Sequence, residues 1–398
     1  MSDGGRRRGW AIAGALSITE TVSYGVLYYA FAAFLVPMHE DLGWSTAQLT
    51  GAFSLAILIS AVAGIPVGRY LDRRGPRGLM TAGAAAGALL VLAWSRVEGL
   101  AAFYAVWAGL GLVMAAVLYE AAFTVLAKHF GSPAERRTAM TAVTLVAAFA
   151  SFIFVPLSQA LIDAHGWRDA LAILAAILAA TTVPLHALVL RAAPAEPHPE
   201  RAHAPSAAAR EVLRTPDFWM LSTAFFLAQL AAIGTMVLAI PFLLERGHDP
   251  EFAALAVGLF GISQIPGRIV FAPLAGRVSP AATTGLVFGL VAAGIAVAVA
   301  IDAAAAVVAG FVLLGMGNGM ATLARATVIA DRYGQAAYGT IAGVAGAVTI
   351  AARAAAPVAA ALYATAFGYP ALLWTLAALA AAAAVVGYRA ELAAPLTR

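Results

Sequence analysis

The chain has 398 residues, of which 62% are hydrophobic and 11% charged, a balance that excludes an ordinary soluble globular domain. Cysteine is absent, which excludes disulfides, thiolate metal sites and thiol catalysis. The formal charge of +4 does not indicate a nucleic-acid partner, because the basic residues stand in short segments between apolar runs, where they orient a membrane protein.

A membrane-spanning helix needs roughly 20 mainly apolar residues. In chain order the apolar runs predict α1 (10–37), α2 (47–69), α3 (79–95), α4 (99–127), α5 (138–162) and α6 (168–191). A second set follows as α7 (217–244), α8 (252–275), α9 (281–301), α10 (303–330), α11 (339–362) and α12 (369–389). Arg6, Arg7 and Arg8 before α1 resemble the start of a signal peptide, but the apolar stretch from Trp10 to Pro37 is too long for one. It is read as a retained first helix. The stretch 192–216, with Pro194, Pro197, Pro199 and Pro205, is too polar to insert and is read as a cytoplasmic linker. The expected organisation is therefore an N-terminal half (1–191), the linker (192–216) and a C-terminal half (217–398).

Orientation follows from Lys and Arg, which concentrate on the cytoplasmic side of bilayer-spanning proteins. With both termini in the cytoplasm, the basic clusters at Arg73, Arg74 and Arg77, at Lys128, Arg136 and Arg137, and at Arg214 all fall inside. Arg96, Arg168 and Arg246 are the basic loop residues that fall outside, among acidic stretches such as Glu40-Asp41 and 245–251. Several landmarks recur in order between the halves. Pro37 and Gly43 match Pro241 and Gly247, Pro66 matches Pro273, and Gly68-Arg69 matches Gly276-Arg277. Gly131 matches Gly334, and Gly166-Trp167 matches Gly368-Tyr369. This order points to a duplicated six-helix unit. Pairs such as Gly83/Gly87 and Gly339/Gly343 permit close helix contacts.

After α2 the chain reads Gly68-Arg-Tyr-Leu-Asp72-Arg73-Arg-Gly75-Pro-Arg77. At the cytoplasmic end of the second of twelve helices, this pattern resembles the major facilitator superfamily. The resemblance implies an all-α membrane fold of twelve helices in two pseudo-symmetric six-helix bundles. It also implies that Gly68, Asp72, Arg73, Gly75 and Arg77 belong to a cytoplasmic gating latch in which the Asp72 carboxylate meets a helix N-terminus. The alternative is a turn that only supplies cytoplasmic positive charge. The second half lacks the matching Asp, so any latch is asymmetric. Asp41-Leu-Gly43-Trp44-Ser45, Gly166-Trp167-Arg168 and Gly267-Arg268-Ile-Val-Phe-Ala-Pro273 are similar to elements of the monocarboxylate and oxalate transporter-like branch. In that branch the α8 arginine meets substrate carboxylate. The Arg in mid-α4 and the Gly-Pro-rich α5 usual in drug/proton antiporters are missing here, where α4 has Glu120 and α5 only Pro156.

A charge at bilayer depth costs about 2.5–3.5 kcal/mol on insertion scales. Glu20 (α1), Glu120 (α4), Arg268 (α8), Arg325 (α10) and Arg353 (α11) all incur this cost. In the superfamily these helices line or flank the central cavity. Glu120 stands roughly 12 Å along its helix from Lys128, and Arg325 is shallow enough to snorkel. Ser17, Glu20, Tyr24 and Tyr28 share one face of α1; Gly261, Gln264 and Arg268 align on α8, Asn318, Thr322 and Arg325 on α10, and Thr349 and Arg353 on α11. Thr144, Ser151 and Ser158 form a stripe on α5, and α7 offers Gln229.

The N-terminal half thus supplies carboxylates and the C-terminal half guanidinium groups. Arginine presents a planar, permanently charged fork to a carboxylate, and a carboxyl group can take up and release a proton. The expected division is substrate binding by Arg268, Arg353 and Arg325 with Tyr24, Tyr28, Gln229, Gln264 and Asn318, and proton exchange by Glu120 and Glu20. The plainer alternative is that these acids only neutralise the arginines. His129 and His186 are expected in solvated or capping roles near the cytoplasm. No phosphate-binding loop, nucleophile motif or metal-ligand cluster occurs in the sequence. No cofactor, metal or catalytic residue is expected. The reading is a monomeric secondary transporter of the inner membrane, not an enzyme, that moves a small organic anion with protons. Efflux of amphipathic or zwitterionic compounds is the alternative.

Overall fold

The computed structural model describes residues 3–190 and 204–392, and among these the regular structure is entirely helical. Eleven helical stretches are long and apolar enough to cross a membrane, and one of them, Pro133–Val189, has 57 residues. At 1.5 Å per residue it would reach about 85 Å, against a hydrocarbon core of about 30 Å. Gly166 breaks it, with φ 77° and ψ 162°. A side chain is strained at this φ, and glycine is not. The stretch is therefore two spans, α5 (133–165) and α6 (167–189), and the described residues hold twelve. The matching Gly368, φ 83°, separates α11 from α12 in the same way.

The other helices are α1 (Asp3–Tyr24, continuing to Leu42), α2 (Thr46–Arg74), α3 (Pro76–Trp94), α4 (Leu100–Val117 and Tyr119–His129), α7 (Pro216–Glu245) and α8 (Pro250–Ala275). They are followed by α9 (Pro280–Ala300), α10 (Ala304–Tyr333), α11 (Tyr338–Phe367) and α12 (Tyr369–Leu392). Residues 192–203 of the expected linker, and residue 191 at the expected end of α6, lie outside the described residues. Ala204–Val212 forms a short helix before α7.

Local chemistry sets several boundaries. Ser45 and Gln48 form a capping box at the start of α2: the Gln48 amide donates to Ser45 Oγ at 3.2 Å and the Ser45 amide to Gln48 Oε1 at 2.9 Å. Thr215 and Ser279 cap α7 and α9. At the other end of α2 the helix runs five residues beyond its expected end at 69. Arg73 and Arg74 fall in its last turn, where cations favour a helix C-terminus and long side chains reach water. The Gly68–Arg77 pattern, expected as a loop, therefore lies mainly on helix; Gly75, φ 78°, makes the turn.

The described residues group into two compact units: Met1–Ala209 with Gly334–Ala347, and Arg210–Tyr333 with Val348–Arg398. The first turns of α11 thus pack with the N-terminal helices. The core of unit 1 is aromatic, built on Phe31, Phe34, Trp94, Phe103 and Trp107, with the Trp94 indole N–H donating to Met38 Sδ at 3.2 Å. The core of unit 2 includes Phe242, Phe260 and Phe311, and small residues bring α9 and α10 together. A Cβ on Gly294 would lie 2.6 Å from the Gly310 carbonyl oxygen, so α9 and α10 touch backbone to backbone.

Each unit also carries an arginine clamp at the end of one of its helices. In unit 1, Arg168 at the start of α6 donates to the carbonyls of Ser95 and Val97 at the end of α3 (3.2 and 3.1 Å) and to Asp41 Oδ2 (3.1 Å). The Trp167 indole donates to the same Asp41 oxygen at 3.1 Å. In unit 2, Arg246 at the end of α7 donates to the Ala298 and Val299 carbonyls at the end of α9 (3.1 and 2.8 Å) and pairs with Asp302 at 2.8 Å. Arg168 and Arg246 are thus held by the helix-end carbonyls of their own unit.

Candidate functional site

In unit 1 the site forms where two helices lose their regular winding. The α1 helix passes through a π-helical turn, Gly25–Tyr29, closed by the Ala30 amide on the Gly25 carbonyl at 2.8 Å. The wider turn lets Tyr24 meet both Tyr28 (ring centroids 6.1 Å) and Tyr29 (6.3 Å). Gly25 makes room for the turn, since a Cβ there would run into the Phe154 ring of α5. Opposite, α4 is interrupted at Leu118, whose φ −94° and ψ −171° are extended, and it restarts with Tyr119 and Glu120. Tyr24 and Tyr119 join the two irregular points at 4.5 Å. Irregular backbone at membrane depth is tolerated where it is buried in protein or lines a cavity, and π-turns and broken helices are common at functional sites.

Glu20, one turn before Tyr24, is fully buried, and neither carboxyl oxygen has a hydrogen-bond partner. Glu120 is half-buried and close enough to interact electrostatically with Glu20. The hydroxyls on the expected polar faces mostly bond their own helix: Ser17 to Ala13 (2.9 Å), Thr144 to Thr141 (3.0 Å) and Ser158 to Phe154 (2.6 Å). The part of the site that sequence reasoning missed is Tyr29, Tyr119 and the two irregular turns. Gly25 was the one available signal, because a glycine inside an apolar helix often marks close packing.

The same unit holds the residues of the α2 pattern. The Asp72 side chain is 1% exposed. Its Oδ1 accepts from the Gly339 amide at 3.0 Å, and its Oδ2 accepts from the Thr340 amide and hydroxyl, both at 2.8 Å. These donors are the first turn of α11, where the exposed N–H groups and the helix dipole favour an anion. Lys128 Nζ sits 3.0 Å from Asp72 Oδ1 and 3.0 Å from the Leu71 carbonyl. Gly68 lets α11 approach: a Cβ on Gly339 would lie 2.6 Å from the Gly68 carbonyl oxygen, and one on Gly343 2.6 Å from that of Gly64. Arg73 and Arg77 are exposed.

In unit 2 the structure brings Arg353 to Gln229, Nη2 donating to Oε1 at 3.3 Å. Arg268 is half-buried on α8. Helices α8 and α10 pack tightly around it: a Cβ on Gly267 would lie 2.9 Å from Met316 Cα, and one on Gly319 2.8 Å from Gln264 Cα. Gln264 and Asn318 flank this contact. Arg325 and Asn318 are both buried at 8% exposure, so Arg325 does not extend to the surface as a snorkelling residue would. Sequence reasoning overlooked Arg332, which is buried at the end of α10, 3.2 Å from Asp217 and 3.8 Å from Glu391. Its neighbours come from α7 and α12, and no spacing along one helix reveals them. His186 also differs from expectation. It is fully buried, with Nδ1 3.0 Å from the Met80 carbonyl of α3. Among the described residues no group of His, Asp or Glu is placed to hold a metal ion.

Twelve membrane helices in two compact units, with acids in the spans of one and arginines in those of the other, define a multi-pass membrane protein of the transporter class. The model of the Major Facilitator Superfamily matches residues 16–357 and 247–396, and the chain belongs to that family. It is similar to monocarboxylate transporter 13 of Bos taurus, 26% identical over 66% of this chain and 60% of that protein. It is also similar to the oxalate:formate antiporter of Oxalobacter formigenes, 24% identical over 66% of this chain and 62% of that protein. The matched region thus spans about three fifths of these relatives. The match to human monocarboxylate transporter 11 is 30% identical over 66% of this chain and 55% of that protein. The chain resembles the monocarboxylate and oxalate transporter branch, as its sequence elements indicate. For the fold, a crystal structure of the transporter FucP aligns with TM-score 0.77 at 14% identity, covering 94% of this chain and 98% of that one. The human organic anion transporter MFSD10 aligns with TM-score 0.71 at 16% identity, covering 96% and 99%. These relatives and neighbours are transporters and not enzymes.

Proposed function

We propose that this protein moves a small, monocarboxylate-like organic anion across the inner membrane by alternating access, coupled to protons and working as a monomer. The observation that carries the reading is the pairing of Arg353 with Gln229. A guanidinium group in a membrane helix is costly, and here it meets a neutral amide oxygen, so its charge is available to an anionic ligand. Arg268 supplies a second fork, and Gln264, Asn318 and Arg325 line the same unit. The names of the relatives point to the same substrate class. Glu20 and Glu120, in the other unit, exchange the proton. Asp72 and its glycine contacts gate the cytoplasmic side.

A ligand screen on the purified protein tests the substrate class. Short-chain monocarboxylates are expected to raise its melting temperature in a thermal-shift assay, and cationic amphiphiles to leave it unchanged. Stabilisation by the cations alone would reverse the assignment. It would favour efflux of amphipathic or zwitterionic compounds, for which the tyrosines beside Glu20 and Glu120 offer a cation-binding surface.

The basic clusters favour cytoplasmic termini. Because the chain has no cysteine, single cysteines can be introduced without background. One placed in 192–216 is expected to react only from the cytoplasmic side, and one in 245–251 only from outside. Reaction of both from one side would rule out this topology.

A further inference from the structure

The lower segment of α4, Tyr119–His129, is a separate helix of 11 residues with Glu120 in its first turn and Lys128 in its last. The extended residue Leu118 separates it from Leu100–Val117. Between its ends, Ala121, Ala122, Phe123, Val125, Leu126 and Ala127 are all at most 2% exposed, so it is gripped along its length as one body. Its two ends have different partners. Glu120 interacts electrostatically with Glu20. Lys128, roughly 12 Å further along the axis, holds Asp72 and the Leu71 carbonyl, each at 3.0 Å.

Lys128 therefore does two things at the end of α2. It satisfies a carbonyl of the last turn, and it fixes the carboxylate that receives three donors from Gly339 and Thr340. Charge-assisted contacts of this kind depend steeply on distance in a dry setting. A tilt or slide of the short helix that moved Lys128 by an ångström or so would loosen the hold of Asp72 on α11. A short helix with an acid at one end, a latch cation at the other and a break above it is suited to carry such a displacement.

We propose that Lys128 is a positioning residue that links the charge on Glu120 to the grip of Asp72 on the first turn of α11, with Tyr119–His129 as the connecting rod. The inference rests on the reading of Glu120 as a proton carrier. In it, loss of charge at Glu120 alters its interaction with Glu20, the rod shifts, and the α11 amides are held or released.

Amide hydrogen exchange on the full-length protein in lipid nanodiscs reads this directly, because the Gly339 and Thr340 N–H groups are the Asp72 donors. Glu120→Gln is expected to change their exchange on the order of tenfold, the ratio that corresponds to one charge-assisted hydrogen bond. Lys128→Met, which keeps the aliphatic stem, is expected to speed exchange by a similar factor and abolish the response to Glu120→Gln. Lys128→Arg should restore both. A response to Glu120→Gln that persists in Lys128→Met overturns the linkage. So does the absence of any response to Glu120→Gln in the otherwise native protein, a measurement that needs no folded Lys128 variant. Proton-driven accumulation in Glu120→Gln separates the two ideas. If accumulation is lost while exchange is unchanged, only the role of Lys128 fails; if accumulation persists, the proton assignment itself fails.

Discussion

Glu120→Gln is expected to preserve exchange of substrate across the membrane and to abolish its proton-driven accumulation. The amide has the size of a protonated carboxyl group and can pack in its place, but it has no proton to release. Exchange of labelled for unlabelled substrate needs only the loaded carrier to turn over, whereas accumulation needs the proton to be taken up on one side and lost on the other. In proteoliposomes, counterflow should stay within about twofold of the native rate, while accumulation driven by an imposed pH gradient should fall to background, a loss of tenfold or more. Glu20→Gln should behave alike, since Glu20 is fully buried and its oxygens bond nothing that an amide would leave behind. Full accumulation in both variants would remove these two residues from the coupling.

The second large effect is expected at the arginines. Arg353→Ala removes a charge-assisted contact worth roughly 1.5–3 kcal/mol, which corresponds to about tenfold to hundredfold weaker substrate binding. Arg268→Lys keeps the charge and loses the planar fork, and a drop of about tenfold is expected because the bidentate geometry goes with it. Expression and melting temperature of the substrate-free protein should change little, because Arg353 meets an amide and not an acid whose charge would be left exposed. Equilibrium binding on purified variants measures this. Native affinity in both would mean that the solute is not an anion held by these groups, and efflux of amphipathic compounds would become the better reading. If instead Glu120→Gln and Arg268→Ala each unfold the protein while the double variant folds, the two groups serve to neutralise each other.

The twelve helices were legible because each is a long apolar run, and length and hydropathy are properties of the sequence itself. Several helix ends were read too short. Arg73, Arg74 and Arg332 are charged, and charge ends an apolar run in the sequence without ending the helix. The acids and arginines of the site stood out because a charge at membrane depth needs a reason. The irregular turns did not stand out. The π-turn at Gly25–Tyr29 packs against Phe154, more than a hundred residues away, and no glycine or proline marks the break at Leu118. Such breaks are decided by tertiary packing, and a single sequence does not carry it. For the same reason Lys128 read as a cytoplasmic loop charge, although its side chain meets Asp72.

The two arginine clamps answer the same structural need in the two units. Both perform one task, closing the exposed carbonyls at the end of the third helix of each repeat. In unit 1 the arginine comes from the start of the sixth helix and its aspartate from the first. In unit 2 the arginine follows the first helix of the repeat and its aspartate follows the third. The units share the backbone arrangement that creates the need, and they meet it with residues at different places in the helix order. The two units face one problem set by the fold, and each solves it with its own residues.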